Sequence, residues 1–147
     1  MKKLLTLSLI LLSLSAFAVP KVPASVTYDY PVTRIIDGDT VAFKAAFLPL
    51  PLKPELSIRI WGVDTPEKTL SQAKCPAEIE KGKAASKFTA AAVNAATKRQ
   101  VTIMTWDKYG GRVLGDVLLD GKSLREMLIA SGFAREYYGG AKASWCN

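Results

Sequence analysis

The stretch Ile58-Arg59-Ile60-Trp61-Gly62-Val63-Asp64-Thr65-Pro66-Glu67 places an arginine and two carboxylates at and just beyond the end of an apolar strand. Ile58 and Ile60 alternate with Arg59, so one face can enter a core while the arginine points elsewhere. Pro66 offers no amide donor and restrains Thr65. The strand therefore stops, and Glu67 is left where a carboxylate faces solvent or a cleft. A second acidic turn, Asp37-Gly38-Asp39-Thr40, lies upstream, and a second arginine, Arg112, lies downstream. Histidine is absent from the sequence. Ser-His-Asp hydrolysis, histidine bases and histidine-ligated zinc are thereby excluded. Proton transfer falls to Asp, Glu, Lys, Tyr or Cys, and any metal site must be rich in oxygen, which suits calcium or magnesium.

The elements that must position these groups belong to one domain, since 147 residues suffice for a single sizeable core. Residues 1–18 are set apart as a secretory signal peptide. Lys2 and Lys3 precede an apolar run, and Ala16-Phe17-Ala18 is a small-x-small cleavage site. The run is too short and wrongly flanked for a membrane span, and no cysteine follows it for lipid attachment. The mature protein then begins near Val19, secreted or periplasmic. Removing Lys2 and Lys3 lowers the formal charge from +7 by two, which leaves a basic domain suited to a polyanionic partner. Both cysteines, Cys75 and Cys146, remain, and an oxidising compartment favours one disulfide between them. Closing a loop of about 70 residues is worth roughly 4 kcal/mol in the chain-entropy model.

Residues 19–31 read as a leader and the start of a first strand over 26–36, made irregular by Pro31. The acidic turn leads to a second strand over 41–43. Three prolines within 47–54 forbid helix and ladder alike, giving an extended loop whose leucines pack on the domain's own surface. A polar loop, 68–76, follows the Arg59 strand. Residues 78–97 form a helix, with Ala84, Phe88, Ala91 and Ala95 on its apolar face. Strands over 101–106 and 112–119 flank the turn Asp107-Lys108-Tyr109-Gly110-Gly111. Ser123-Leu124-Arg125-Glu126 is a capping box opening a short helix that Gly132 closes. Trp61, Trp106 and Trp145 read as packing residues. The pattern is α+β: an OB-fold-type five-stranded β-barrel with two or three helices, filling 32–147.

The order Ile36-Asp37-Gly38-Asp39-Thr40, Arg59 with Val63-Asp64-Thr65-Pro66-Glu67, Asp107-Lys108-Tyr109-Gly110 with a nearby arginine, then Gly132-Phe133-Ala134 and a tyrosine resembles the staphylococcal nuclease (thermonuclease) family. The resemblance runs over about 32–138. It implies an OB-fold barrel and calcium-dependent hydrolysis of phosphodiester bonds in DNA and RNA. It further implies that Asp39 and Asp64 are the Ca2+ carboxylates, with Thr65 adding its backbone carbonyl. Glu67 matches the general base acting on water, and Arg59 and Arg112 match the phosphate-binding arginines. Lys108 and Tyr109 resemble residues that hold a terminal phosphate, and Tyr137 or Tyr138 a contact to base or phosphate.

The chemistry agrees with that assignment. Attack on a phosphodiester builds negative charge at phosphorus, where arginine forks and a hard cation are useful. A carboxylate is a weak base, so better activity is expected at alkaline pH. One departure stands out: Gly111 is inserted before Arg112. In a regular strand such a slip would turn the arginine to the other face, whereas a glycine turn can absorb it. Three alternatives accompany this reading. Asp37 and Asp39 can be turn residues bonded to their own backbone, a role retained for Asp37. Arg59 can pair with Glu55, and Lys108 and Tyr109 can be plain turn residues. A non-catalytic nucleic-acid-binding OB-fold module is the competing function, and it would not need Asp39, Asp64, Arg59 and Glu67 together. A structural envelope protein held through the proline–leucine loop is a third. A monomer without membrane insertion is expected.

Overall fold

Alternation of buried and open positions runs through two neighbouring strands in the middle of the sheet. In β4 (Glu55–Ile60), Leu56, Ile58 and Ile60 are buried while Ser57 and Arg59 lie on the other face. In β7 (Arg112–Leu119), Val113, Gly115, Val117 and Leu119 are buried. These two strands run parallel, with Ser57 opposite Arg112 and Arg59 opposite Leu114. The computed structural model describes residues 21–49, 52 and 54–146. The expected signal segment lies outside the described residues, as do positions 50, 51 and 53 of the proline–leucine loop.

The fold is mixed α+β. The other strands are β1 (Val26–Tyr28), β2 (Val32–Ile35), β3 (Thr40–Lys44), β5 (Val63–Asp64), β6 (Arg99–Trp106), β8 (Lys122–Ser123) and β9 (Arg135–Glu136). The helices are α1 (Pro76–Ala95) and α2 (Leu124–Ala130). The main sheet follows the order β1-β6-β7-β4-β3-β2 with β8 beside β7, and β5 pairs with β9 apart from it. The expected five-stranded closed barrel is therefore corrected to an open sheet with more strands. The reason is local. Pro31 interrupts the first strand and splits it into β1 and β2, which stand at opposite ends of the path although only Asp29, Tyr30 and Pro31 separate them. The remaining additions, β5, β8 and β9, are two residues each, too short for any period to register in sequence.

The core gathers Phe43, Ile58, Ile60, Val101 and Val117 from the sheet with Leu124 and Leu128 from α2. Ser123 caps α2 by accepting from the Glu126 amide at 3.1 Å, as the capping box requires. Helix α1 buries Gly82, Ala85, Thr89 and Val93. This corrects the expected face, since Ala84, Ala91 and Ala95 are exposed and Phe88 is half-buried. The helix is rich in alanine, so neighbouring faces differ little in apolarity, and the close approach of backbone selects the one with glycine. A second correction concerns Trp106, which is 60% exposed and does not pack. Of the proline–leucine loop, Leu48 packs against the core while Phe47 and Leu52 are exposed. No helix among the described residues is long and apolar enough to cross a membrane. The Cys75–Cys146 disulfide is formed, with Cα atoms 5.9 Å apart.

Gly115 sits beside a bulge in the β6–β7 ladder. A Cβ there would fall 1.9 Å from the Thr102 carbonyl oxygen and 2.8 Å from Ile58 Cδ1. Gly115→Ala is expected to cost more than about 2 kcal/mol of stability, because backbone rather than a flexible side chain must move. A urea-unfolding midpoint equal to that of the parent protein would refute this.

Candidate active site

The two acidic turns meet against the small face of α1. Thr89 donates its hydroxyl to the Gly38 carbonyl at 2.6 Å, and a Cβ on Gly38 would come 2.9 Å from that of Ala85. Gly82 lies still closer to the other turn: a Cβ there would fall 2.5 Å from the Glu67 carbonyl oxygen and 2.7 Å from that of Pro66. Glu78, buried in the first turn of α1, accepts from the amides of Glu67 at 3.4 Å and Lys74 at 2.8 Å. Helix α1 thus fixes the backbone on both sides of the carboxylates.

Asp39 and Asp64 are 2% and 4% exposed, and Arg59 lies between them. Its Nη1 donates to Asp39 Oδ1 at 3.1 Å and its Nη2 is 3.9 Å from Asp64 Oδ1. The Thr65 amide donates to Asp39 Oδ2 at 3.2 Å. Asp37 is bonded to its own turn, accepting from the Asp39 amide at 3.2 Å. Burial pushes the Asp39 carboxyl up to about 6, helped by the charge of Asp37 and opposed by Arg59, Thr40 and Thr65. Glu55 is engaged by Arg34 and Thr33, so the alternative Arg59–Glu55 pairing gives way to an Arg59–aspartate one.

A cleft of about 680 Å³ opens in front of these groups, lined by Arg59, Glu67, Lys108, Tyr109 and Arg112 and walled by Tyr137 and Tyr138. Arg112 reaches it because Gly111 adopts φ +77° with open space around it and its carbonyl accepts from the Ser57 amide at 3.0 Å. The inserted residue is taken up in the turn, and Arg112 stays on the Arg59 face of the β4–β7 pair. Arg112 Nε lies 2.5 Å from Asp107 Oδ2, and its guanidinium covers the Tyr109 ring at 4.6 Å. Tyr138 stacks at an angle on Trp61, 5.1 Å between centroids, and accepts from Arg125 at 2.8 Å. Tyr137 donates its hydroxyl to the Gly140 carbonyl at 2.8 Å.

Two residues of the site were not expected there, since Lys142 carried no signal in the sequence and Trp145 read only as a packing residue. Lys142 Nζ stands 2.6 Å from Asp64 Oδ1 and 3.4 Å from Glu67 Oε1. No well-directed hydrogen bond reaches Asp64 Oδ1, so the Lys142 contact is an ion pair set by distance rather than by angle. Burial works against the Lys142 ammonium, but Asp64 and Glu67 outweigh it and its pKa is raised. Trp145 is buried, and its indole donates to Asp64 Oδ2 at 3.0 Å. The expected disulfide was the one available clue, since Cys75 follows Glu67 closely and Cys146 follows Trp145.

Three carboxylates, Asp39, Asp64 and Glu67, are met here by two cations, Arg59 and Lys142. A hard divalent cation fits this all-oxygen set: burial pushes the Asp39 carboxyl up, a penalty that a positive ion beside it would relieve, and Asp64 Oδ1 lacks a directed donor. A second cluster, Cys75, Glu78 and Cys146, lies within 4.8 Å. Its sulfurs are joined to each other, so neither can act as a thiolate ligand.

A family model described as staphylococcal nuclease homologue matches residues 57–144. A comparison with curated proteins gives no match.

If Gly82 holds the Glu67 turn in place, Gly82→Ala should raise hydrogen exchange at the Glu67 amide by at least about tenfold while the β4 and β7 amides keep their protection. Unchanged exchange at Glu67 would show that the turn is positioned by something other than the close approach at Gly82.

Proposed function

The chain belongs to the staphylococcal nuclease family, and from that premise we propose that it is a secreted or periplasmic calcium-dependent nuclease hydrolysing DNA and RNA. The observation that carries the proposal is the Arg59 guanidinium set between buried Asp39 and Asp64 in the same cleft as Glu67 and Arg112. In this reading residues 1–18 are a removed signal peptide, 19–31 a leader, and 32–147 the nuclease domain. The open sheet, with its two edge strands joined through Pro31, is the OB-type framework.

Asp39, Asp64 and the Thr65 carbonyl are the groups that would hold calcium, which when bound supplies positive charge beside a phosphate oxygen. Glu67 takes a proton from the attacking water. Arg59 exchanges its aspartate partners for phosphate oxygens as substrate enters, and Arg112 leaves Asp107 to do the same. Both then hold the oxygens on which charge grows during attack, so their bonds strengthen towards the transition state. Lys108 and Tyr109, on the exposed turn, bind a terminal phosphate, and Tyr137 and Tyr138 form the wall against which a base rests. The monomer is sufficient, because every group named comes from one chain.

Digestion of heat-denatured DNA tests the proposal. Cutting is expected with calcium and not with excess chelator, and it should rise from neutral to alkaline pH. Glu67→Gln should lower kcat by about 10²–10⁴-fold with substrate binding retained. Binding without cutting by the parent protein, at neutral and alkaline pH alike, would identify a nucleic-acid-binding module instead, with Arg112 the first residue to re-examine.

A further inference from the structure

The last ten described residues form a strap across the cation site. After β9, Gly139 and Gly140 adopt φ of +107° and +87°, a left-handed turn open to glycine. The chain then doubles back beneath Tyr137, whose ring centroid is 5.8 Å from Lys142 Nζ. Beyond Lys142 the strap is held at several points. Arg135 donates to the Ser144 carbonyl at 2.8 Å and lies 3.8 Å over the Trp145 ring. Lys81 of α1 donates to the Trp145 carbonyl at 2.9 Å. The disulfide then joins Cys146 to Cys75, the N-cap residue of α1.

We propose that Lys142 is a tethered cation that occupies Asp64 Oδ1, an oxygen of the divalent-cation site, so that the metal enters only by displacing it, with the Cys75–Cys146 bond keeping the lysine at hand. The inference rests on the assignment of Asp39 and Asp64 as metal ligands. An ammonium 2.6 Å from Asp64 Oδ1 and 3.4 Å from Glu67 Oε1 takes up the one Asp64 oxygen that a metal could use, since Trp145 holds Oδ2, and two cations cannot share that oxygen at such a distance. The Lys142 side chain is 39% exposed, so it has an open path by which to withdraw. Its neighbours Trp145 and Cys146 cannot follow. Arg59 faces Asp64 from 3.9 Å and is the other cation the metal must meet, but it also holds Asp39 and is fixed on β4. A ligand that must displace an internal competitor binds with its intrinsic affinity reduced by the fraction of molecules in which the site is open. The strap therefore sets the calcium concentration at which the site fills.

Calorimetric titration of the chelator-stripped, oxidised protein with calcium alone tests this without reference to cutting. Lys142→Met, which keeps the stem and removes the charge, should tighten the Kd by at least about tenfold. Reducing the disulfide should tighten the parent protein's Kd towards that of the variant and leave the variant's Kd unchanged. If reduction abolishes folding, judged by circular dichroism, the Lys142→Met comparison decides by itself. Equal affinity in the parent and Lys142→Met, or weaker affinity in the variant, overturns the tethered cation while calcium binding itself stands. No calcium binding by either protein overturns both.

Discussion

The site depends on how closely one helix approaches two turns. Helix α1 has no side chain at Gly82, a methyl at Ala85 and a hydroxyl at Thr89, and each is matched to the backbone it meets. Glycine admits the Pro66 and Glu67 carbonyls, alanine admits Gly38, and threonine bonds the Gly38 carbonyl. Asp39 and Asp64 belong to different turns and have no sequence-local reason to face each other. They do so because the same rigid helix face sets the height of both. Groups held on elements that are themselves packed keep their geometry better than groups on free loops.

That geometry is electrostatically costly. Two aspartates almost removed from solvent, with a glutamate near them, repel one another in a medium that screens poorly. Arg59 offsets part of this, yet burial, with the charge of Asp37, still holds the Asp39 carboxyl above its ordinary range. Such a cluster is poor design for stability alone, since buried carboxylates replaced by apolar groups would generally pack at less cost. The arrangement makes sense where a positive ligand or a developing charge is to be met, which is the trade between stability and activity common at functional sites.

What was legible in the sequence follows from the range of the interactions. The alternation Ile58-Arg59-Ile60 places Arg59 off the core face, and β4 has that pattern. The capping box at Ser123 and the pairing of two cysteines were likewise readable, because each depends on local chemistry or on few candidates. The apolar face of α1 was not, because Ala84 and Ala85 differ in nothing but what lies opposite them. The split of the first strand at Pro31 was visible as irregularity, though not as a change of partner from β6 to β3. Lys142 had no local mark at all, and Trp145 read only as a packing residue. Their place in the site comes from a chain reversal at Gly139 and Gly140 and from a covalent bond 71 residues long in sequence separation.

The disulfide joins the tail at a telling place. Cys75 is the N-cap of α1, so the strap is anchored to the same helix that sets the two acidic turns, and to its first turns, where Glu78 and Lys81 also act. Any shift of α1 against the sheet would move the turns and the strap together. Trp145 then completes the logic at Asp64. Its indole occupies Oδ2, which fixes the carboxylate plane and leaves Oδ1 as the oxygen turned towards Arg59 and Lys142. A carboxylate pinned through one oxygen presents a single, oriented ligand atom. The residue that pins it comes from the far end of the chain, held there by a bond that persists in an oxidising compartment. The second oxygen of Asp64 is thus governed by the strap, and the first by whichever cation stands in front of it.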